Sequence, residues 1–530
     1  MRMHRFLLGS AATLAAGGFA GTVQAQDVVP SVATMQGQLP MRPVAQPPTS
    51  ANDNNNAQTA MRPGTVANPA PGTIVIHLNA RVNVGFKSIW SSADQRVATA
   101  PAGSPGGPTI APGAPTPLAT VLGNNGSGSV KLAPDSLYSY ARLYAGADGM
   151  AANGLRYGAG IEIRMNYTGQ ISNSQSSGAS GYSSLATLFV RRAFTYVAGD
   201  QWGILRAGQA DGIIGLFDNG VTTFQFLPTT NLSNGSDLAS LMPTNAAVPW
   251  FFQSGDGAEY ANAKLVYLSP QFAGFDLGIQ YAPNWANGFG LGGSNNPLNG
   301  SITGAGTGTG LGCTVANSGC PTLSSGPGSL DGARILNQTA IGIRYQGVLG
   351  GVGVLVYGVY EFSGHANYTG ATTAAVLGNT VAGTTFNGKY DGLNFGNAGL
   401  ALTYAGVTIG GNVIGGRLNG LLALTPQHGA PEVAFLLGAK YAIGPFTVGV
   451  SAERGDYQGS VNLTGISQRR GRAIDIGASY AVAPGYLVYA EYQYDELYQG
   501  AFNFISGANG SGANNTIKAH GFVLANVVNF

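Results

Sequence analysis

The residues able to do chemistry are few and dispersed. There are 25 basic and 23 acidic side chains in 530 residues, only 9 % of the chain, against about 25 % in ordinary soluble domains. Five histidines, His4, His77, His365, His428 and His520, are scattered, with no grouping that suits a metal. Alternation puts His77 and His520 on the first and last strand-like stretches, where a seam could bring them together. Cys313 and Cys320, with six residues between them, fit a small loop disulfide in an oxidising compartment. No G-x-S-x-G, H-E-x-x-H or phosphate-binding loop occurs. An enzyme is therefore not expected, and neither a cofactor nor a metal is implied. The formal net charge of +2 gives no footprint for nucleic acid.

The charges that remain fall singly on alternating stretches. Over 73–87, Ile74, Ile76, Leu78, Ala80, Val82, Val84 and Phe86 share one face, while His77, Asn79, Arg81, Asn83 and Lys87 share the other. Over 153–168, Leu155, Tyr157, Ile161 and Ile163 oppose Arg156, Glu162 and Arg164. One exception stands out: Arg192 has the parity of Phe194 and Tyr196. An arginine on a lipid face at midplane costs about 2–4 kcal/mol, so Arg192 requires either a rim position or a bulge.

Elements that long are unusual in soluble sandwiches, whose strands run about five or six residues; a tilted membrane-crossing strand needs about 9–11. Sixteen such segments occur: 73–90, 136–147, 153–168, 184–198, 201–209, 258–268, 271–281, 337–347, 350–363, 393–405, 407–417, 431–442, 445–456, 472–482, 485–498 and 517–530. Their connections alternate strictly. Short turns such as Gly199-Asp200 and Ser269-Pro270 alternate with long Gly/Asn/Ser-rich loops such as 91–135, 210–257 and 282–336. An even strand number with short turns at one end and long loops at the other describes an outer-membrane barrel. Closure is required because every backbone N–H and C=O in lipid needs a protein partner. The fold class expected is all-β, a 16-stranded antiparallel transmembrane β-barrel. Trp90, Tyr267, Tyr281, Tyr345, Tyr360 and Tyr404 stand near strand ends, as interfacial girdles do.

Before the barrel, residues 1–25 read as a signal peptide, with Arg2, His4 and Arg5, an apolar stretch, and Val23-Gln24-Ala25 as the cleavage site. Residues 26–72 are Pro-, Asn- and Gln-rich without periodicity and read as a disordered segment; 73–530 read as the barrel.

Several stretches carry a resemblance to the Gram-negative general diffusion porins. Tyr140-Ala141-Arg142-Leu143, Tyr157-Gly158-Ala159-Gly160-Ile161-Glu162, Arg191-Arg192-Ala193-Phe194 and Trp202-Gly203-Ile204-Leu205-Arg206-Ala207-Gly208-Gln209 resemble successive porin strands. Terminal Phe530 is similar to the porin assembly signal. The resemblance implies a water-filled channel for small hydrophilic solutes and ions, a homotrimer, and an environment of outer-membrane lipid and lipopolysaccharide. It also implies insertion by the outer-membrane barrel assembly machinery. It further implies that the third outer loop, 210–257, folds inward and narrows the lumen. By motif position, Arg142 and Arg191 match the basic wall of that constriction and Glu162 a luminal carboxylate; Arg81 joins by alternation, and Lys264 stands on strand six. Asp211, Asp218, Asp237 and Asp256 are the loop's aspartates, the first three being the candidates for the constriction's acidic side. Two departures are visible. Gln209 stands where enterobacterial porins have Arg, and the run Asp211-Gly212-Ile213-Ile214-Gly215-Leu216-Phe217-Asp218 replaces a more acidic one. The expected constriction is thus more apolar, which favours a neutral solute such as a sugar. A sugar-specific channel, or a barrel that mainly displays its loops, are the alternatives.

Overall fold

In the computed structural model the described residues are 70–92, 96–99, 127–130, 135–165, 188–199, 201–218, 263–284, 335–365, 390–419, 425–426, 429–458, 468–502 and 512–530. Asp237, Cys313, Cys320 and residues 1–69 fall outside them.

Sixteen strands close into one antiparallel barrel. In chain order they are β1 Thr73–Ser91, β2 Asp135–Met150, β3 Arg156–Met165, β4 Leu188–Gly199, β5 Gly203–Gln209, β6 Ala263–Leu268, β7 Phe275–Asn284 and β8 Ile335–Leu349. The second half comprises β9 Val352–His365, β10 Asn394–Tyr404, β11 Val407–Arg417, β12 Glu432–Ile443, β13 Phe446–Tyr457, β14 Arg469–Ala483, β15 Tyr486–Tyr498 and β16 Thr516–Asn529. All sixteen expected segments appear, in order. Each strand pairs with its chain neighbours. Two short ribbons, Arg96–Thr99 with Ser127–Val130 and Tyr390–Asp391 with Thr425–Pro426, stand apart from the barrel.

Alternation decides the two faces. Ile76, Leu78, Leu277, Ile279, Leu437, Ile476 and Leu524 point outward and are exposed, whereas Arg81, Asn83, Glu162, Gln280 and Asp475 point inward and are buried. This inverts a soluble protein and fits a barrel with lipid outside and a polar interior. Of the six expected girdle residues, Trp90, Tyr281, Tyr360 and Tyr404 are exposed, whereas Tyr267 and Tyr345 are half-buried. At the short-turn end, ring pairs Phe275–Tyr345 and Phe446–Tyr480 lie with centroids 4.9 and 4.7 Å apart.

The seam joins β1 to β16, from Arg81 opposite Asn529 to Ser91 opposite Ala519. Phe530 extends it, because its N–H donates to Ala80 at 3.0 Å and its carbonyl accepts from the Ala80 N–H at 2.7 Å. Inside the barrel, the Asn83 amide donates to the Tyr489 hydroxyl at 2.9 Å, bridging β1 to β15 across β16. The two seam histidines do not meet. His520 is opposite Trp90 at one end of β1, and His77 is opposite Gly146 towards the other.

Candidate functional site

β4 contains the irregularity that Arg192 required. Glu162 pairs with Arg192 and Ile163 with Val190, so Arg191 is the extra residue of a bulge. The bulge exchanges faces along β4. Val190 and Val197 are exposed outside, whereas Arg192, Phe194 and Tyr196 are buried inside. The expectation that Phe194 and Tyr196 face lipid therefore fails. These rings are luminal, and Arg192 needs no rim position. Arg191 itself sits on the bulge, and its side chain is outside the described residues.

Arg192 is the centre of a buried ion triad. It pairs with Glu162 of β3 and donates to Asp211 at 2.7 Å. Asp211 lies at the start of the third outer loop, so this contact fixes where that loop leaves the wall. Next to it, the Arg206 guanidinium lies 4.4 Å above the Phe194 ring, an arrangement that keeps a buried cation on an aromatic face. Arg81 and Arg142 are directly opposite one another on β1 and β2, both luminal and buried, and Lys264 is buried on β6. The structure thus brings Arg81, Arg142, Lys264, Glu162 and Asp211 onto the inner wall of β1–β6 and the root of the loop.

Beyond Asp211 the loop forms a single turn of helix, α1, Ile213–Phe217, with all five residues buried inside the barrel. Asp218 follows as its half-buried C-terminal residue. The helix rests against β7, β8 and β9. Two glycines make its seat. Gly278 and Gly342 are register partners, and a Cβ on Gly342 would stand 2.9 Å from Ile213 Cγ2 and 3.2 Å from Phe217 Cδ2. On Gly278 it would stand 3.0 Å from Phe217 Cζ. The wall is flat there because neither residue has a side chain.

Polar groups hold both ends of the helix. The Ile213 N–H donates to Gln280 Oε1 at 2.7 Å, satisfying one of the amides that a helix start leaves open. At the other end, Arg344 donates to the Leu216 carbonyl at 3.0 Å and forms a two-pronged pair with Asp276 at 2.6 and 3.1 Å. Its guanidinium also lies 4.8 Å from the Phe217 ring centre. A luminal apolar cluster that includes Phe194, Tyr196, Val266, Val359 and Phe395 continues around the helix.

A second charged group occupies the wall of β13–β15. Glu453 and Asp495 share a row through Ala473; Asp475 is one inward position lower, and Glu491 one lower again. Gln493 donates to Glu491 at 3.1 Å. Both Glu453 oxygens are buried without a hydrogen-bond partner among the described residues. Sequence reasoning missed this ladder, although alternation along 445–456, 472–482 and 485–498 gives all four acids the inward parity. It also missed Gln280, Asp276, Arg344, Gly278 and Gly342, because only strand register reveals that they converge on α1.

The inner surface thus carries basic residues on β1–β6, acidic residues on β13–β15 and the apolar α1 against β7–β9. The sequence profile described as Gram-negative porin matches residues 118–501, more than half of the chain. The chain belongs to this family. It is an outer-membrane porin, a multi-pass β-barrel forming a water-filled channel for passive diffusion of small hydrophilic solutes and ions; the family points to a channel rather than an enzyme. No curated protein sequence matches the porin. Among solved structures it is similar to the anion-selective porin from Comamonas acidovorans, with 12 % identity, 86 % of this chain and 100 % of the other covered, and a TM-score of 0.47. It is also similar to OmpT of Vibrio cholerae (12 % identity, 86 % and 98 % covered, TM-score 0.44) and to a mutant of the Rh. blastica porin (13 % identity, 86 % and 100 % covered, TM-score 0.38).

Proposed function

We propose that this porin's constriction is the space bounded by α1, the basic wall of β1–β6 and the acidic ladder of β13–β15. The observation that carries the reading is the position of α1, folded inside the barrel and seated on Gly278 and Gly342. Arg81, Arg142, Lys264 and the Arg192 triad supply one side of the field that a passing ion meets; Glu453, Asp475, Glu491 and Asp495 supply the other. Charges at a narrowing act on permeating ions at close range. In this reading Asp211 and Asp218 anchor the loop, and Asp237 belongs to its remainder. Arg191 acts by making the bulge that turns Arg192 inward. With opposed charged walls, the solutes favoured are small polar molecules and salts rather than one neutral sugar.

We infer that the porin is exported by the leader 1–25, with 26–72 a separate segment before the barrel. Assembly machinery would read Phe530, and Cys313–Cys320 would close a small loop. A homotrimer is supported by β5, which at seven residues is shorter than the 9–11 needed to cross lipid. Protein rather than lipid would cover that face.

The test is single-channel recording under a salt gradient. Replacing Arg81 and Arg142 with Gln shifts the reversal potential towards cations, and replacing Glu453 and Asp475 with Gln and Asn shifts it towards anions. Unchanged reversal potentials in both variants refute the proposed constriction. Saturable block of the unmodified channel by one oligosaccharide would replace this reading with a sugar-specific channel.

A further inference from the structure

The inner face of β16 departs from the polar lining expected of a wide barrel. Between Ile517 and Val527 its inward residues are Ile517, Ala519, Gly521, Val523, Ala525 and Val527, without one polar side chain, and all are buried. The outward face of the same strand holds Lys518, His520 and Asn526. β15 widens the apolar patch towards the short turns, where Leu487 is opposite Val527 and Tyr489 opposite Ala525. The wall does not cover this patch by itself. Ala525 has Gly85 as its other neighbour, which offers no side chain. Tyr489 reaches across β16 to Asn83, yet Tyr489 is itself only 2 % exposed and Asn83 only 1 %. The uppermost layer of the patch is therefore covered too. α1 rests on another part of the wall, against β7–β9.

One segment of the chain is delivered to this patch. Thr73 is opposite Met150, beside the short connection from β2 to β3, so the chain enters β1 at the short-turn rim. Ala70–Thr73 is a tight turn there: the Ala70 carbonyl accepts from the Thr73 N–H at 2.9 Å and from its hydroxyl at 2.6 Å, and Gly72 has φ +81°, a conformation that suits glycine. The turn reverses direction, so the chain before Ala70 is aimed back towards the barrel. Lipid is closed to a Pro- and Asn-rich stretch, whose backbone groups would find no partners there; the lumen is the remaining route. At about 3.1 Å per residue of Pro-rich chain, residues 57–69 span about 40 Å, enough for the ~33 Å from Thr73 to Asn83.

The segment has matching chemistry. Met41-Arg42-Pro43 and Met61-Arg62-Pro63 are a repeat, followed by Val44-Ala45-Gln46-Pro47 and, after Gly64-Thr65, by Val66-Ala67-Asn68-Pro69. Met adapts to irregular apolar surface. Arg42 and Arg62 are the only Lys or Arg residues of 26–69. Beside Val523 stands Glu491 of the acidic ladder, in which Glu453 has both oxygens and Asp495 one without a hydrogen-bond partner among the described residues.

We propose that residues 26–69 enter the barrel from the periplasmic end and dock on the inner face of β15–β16, so that the porin's own N-terminal segment narrows its channel. Met61 and Val66 pack on Leu487 and Val527. The earlier repeat continues upwards and brings Arg42 to the acidic ladder, where it offsets carboxylates whose burial is otherwise costly. The inference rests on the channel reading, since only a conducting lumen can be narrowed, and it concerns a part of the wall away from α1.

The experiment uses the folded full-length porin with p-benzoylphenylalanine in place of Tyr489, irradiated and mapped by mass spectrometry. Crosslinks within 26–69 are expected. Crosslinks confined to the outer loops overturn the proposal by assigning the cover to them, and neither result requires a deleted chain to fold. A second measurement follows V523C, without Cys313 and Cys320, as it reacts with a water-soluble thiol reagent in the full chain and in one lacking 26–69. The deletion speeds labelling about tenfold or more, because labelling tracks the open population, and it enlarges the single-channel step. The 26–69 peptide added from the periplasmic side reverses both changes. Equal labelling and equal steps in the two folded channels overturn the proposal. Reversal potentials keep the two readings apart. Crosslinks to the segment in a channel whose reversal potential ignores Arg81, Arg142, Glu453 and Asp475 refute the constriction alone, and the converse result refutes this inference alone.

Discussion

Gly342→Ala tests the seat of α1 with a single methyl group. That methyl would stand 2.9 Å from both Ile213 Cγ2 and Val359 Cγ2, and 3.2 Å from Phe217 Cδ2, closer than packed carbons tolerate. Overpacking of this kind costs about 1–3 kcal/mol. The helix has little stability in reserve. Burial of Ile213, Ile214, Leu216 and Phe217 contributes roughly 6–12 kcal/mol at about 1.5–3 kcal/mol per side chain, while ordering five residues of backbone costs about 5–10 kcal/mol. A loss of 1–3 kcal/mol raises the population of the undocked loop about 5- to 150-fold at ~1.4 kcal/mol per tenfold. The assay is modification of I214C by a water-soluble thiol reagent in a background without Cys313 and Cys320, because Ile214 is fully buried in the docked helix. Gly342→Ala speeds labelling by that factor and raises both mean conductance and open-channel noise. Combining it with Gly278→Ala increases the effect. Labelling and conductance unchanged in a folded barrel would refute the reasoning, since the helix could not then be resting on that glycine.

Other perturbations separate the remaining contacts. Arg192→Met leaves Glu162 and Asp211 buried without their shared cation, which costs about 3–5 kcal/mol; urea unfolding of the folded barrel reads this directly. Arg344→Gln removes the donor to the Leu216 carbonyl and the partner of Asp276, and it speeds labelling of I214C with the barrel's unfolding midpoint little changed. Deleting Phe530 removes two seam hydrogen bonds to Ala80, worth about 0.5–1.5 kcal/mol each; the heat-modifiable fraction on gels falls and assembly slows.

The barrel was legible in the sequence because its cause is local. Inside/outside alternation is written into consecutive residues, so Ile74–Ile76–Leu78 against Arg81–Asn83 declares a two-faced strand without reference to anything distant. The parity of Arg192 was legible as a problem, since lipid does not tolerate the charge. Its solution was not, because a bulge is a property of two strands: Arg191 becomes surplus only when Glu162 and Ile163 are laid against Arg192 and Val190. The apolar run 213–217 was visible as a departure from an acidic loop. Its docking place was invisible for the same reason, because the seat consists of Gly278 and Gly342, two residues with no side chain to advertise a contact.

The seam has a consequence for the order of events during biogenesis. Arg81 and Asn529 are partners although 448 positions separate them, and Phe530 extends the same seam through its bonds to Ala80. Contacts of such separation form late, since loop closure must precede any gain from them. Until β16 has been delivered, β1 presents an open edge, which is a template for wrong pairing. Arrival of β16 is therefore the checkpoint for closure: a chain that lacks this strand leaves β1 without its partner and remains an unsealed sheet.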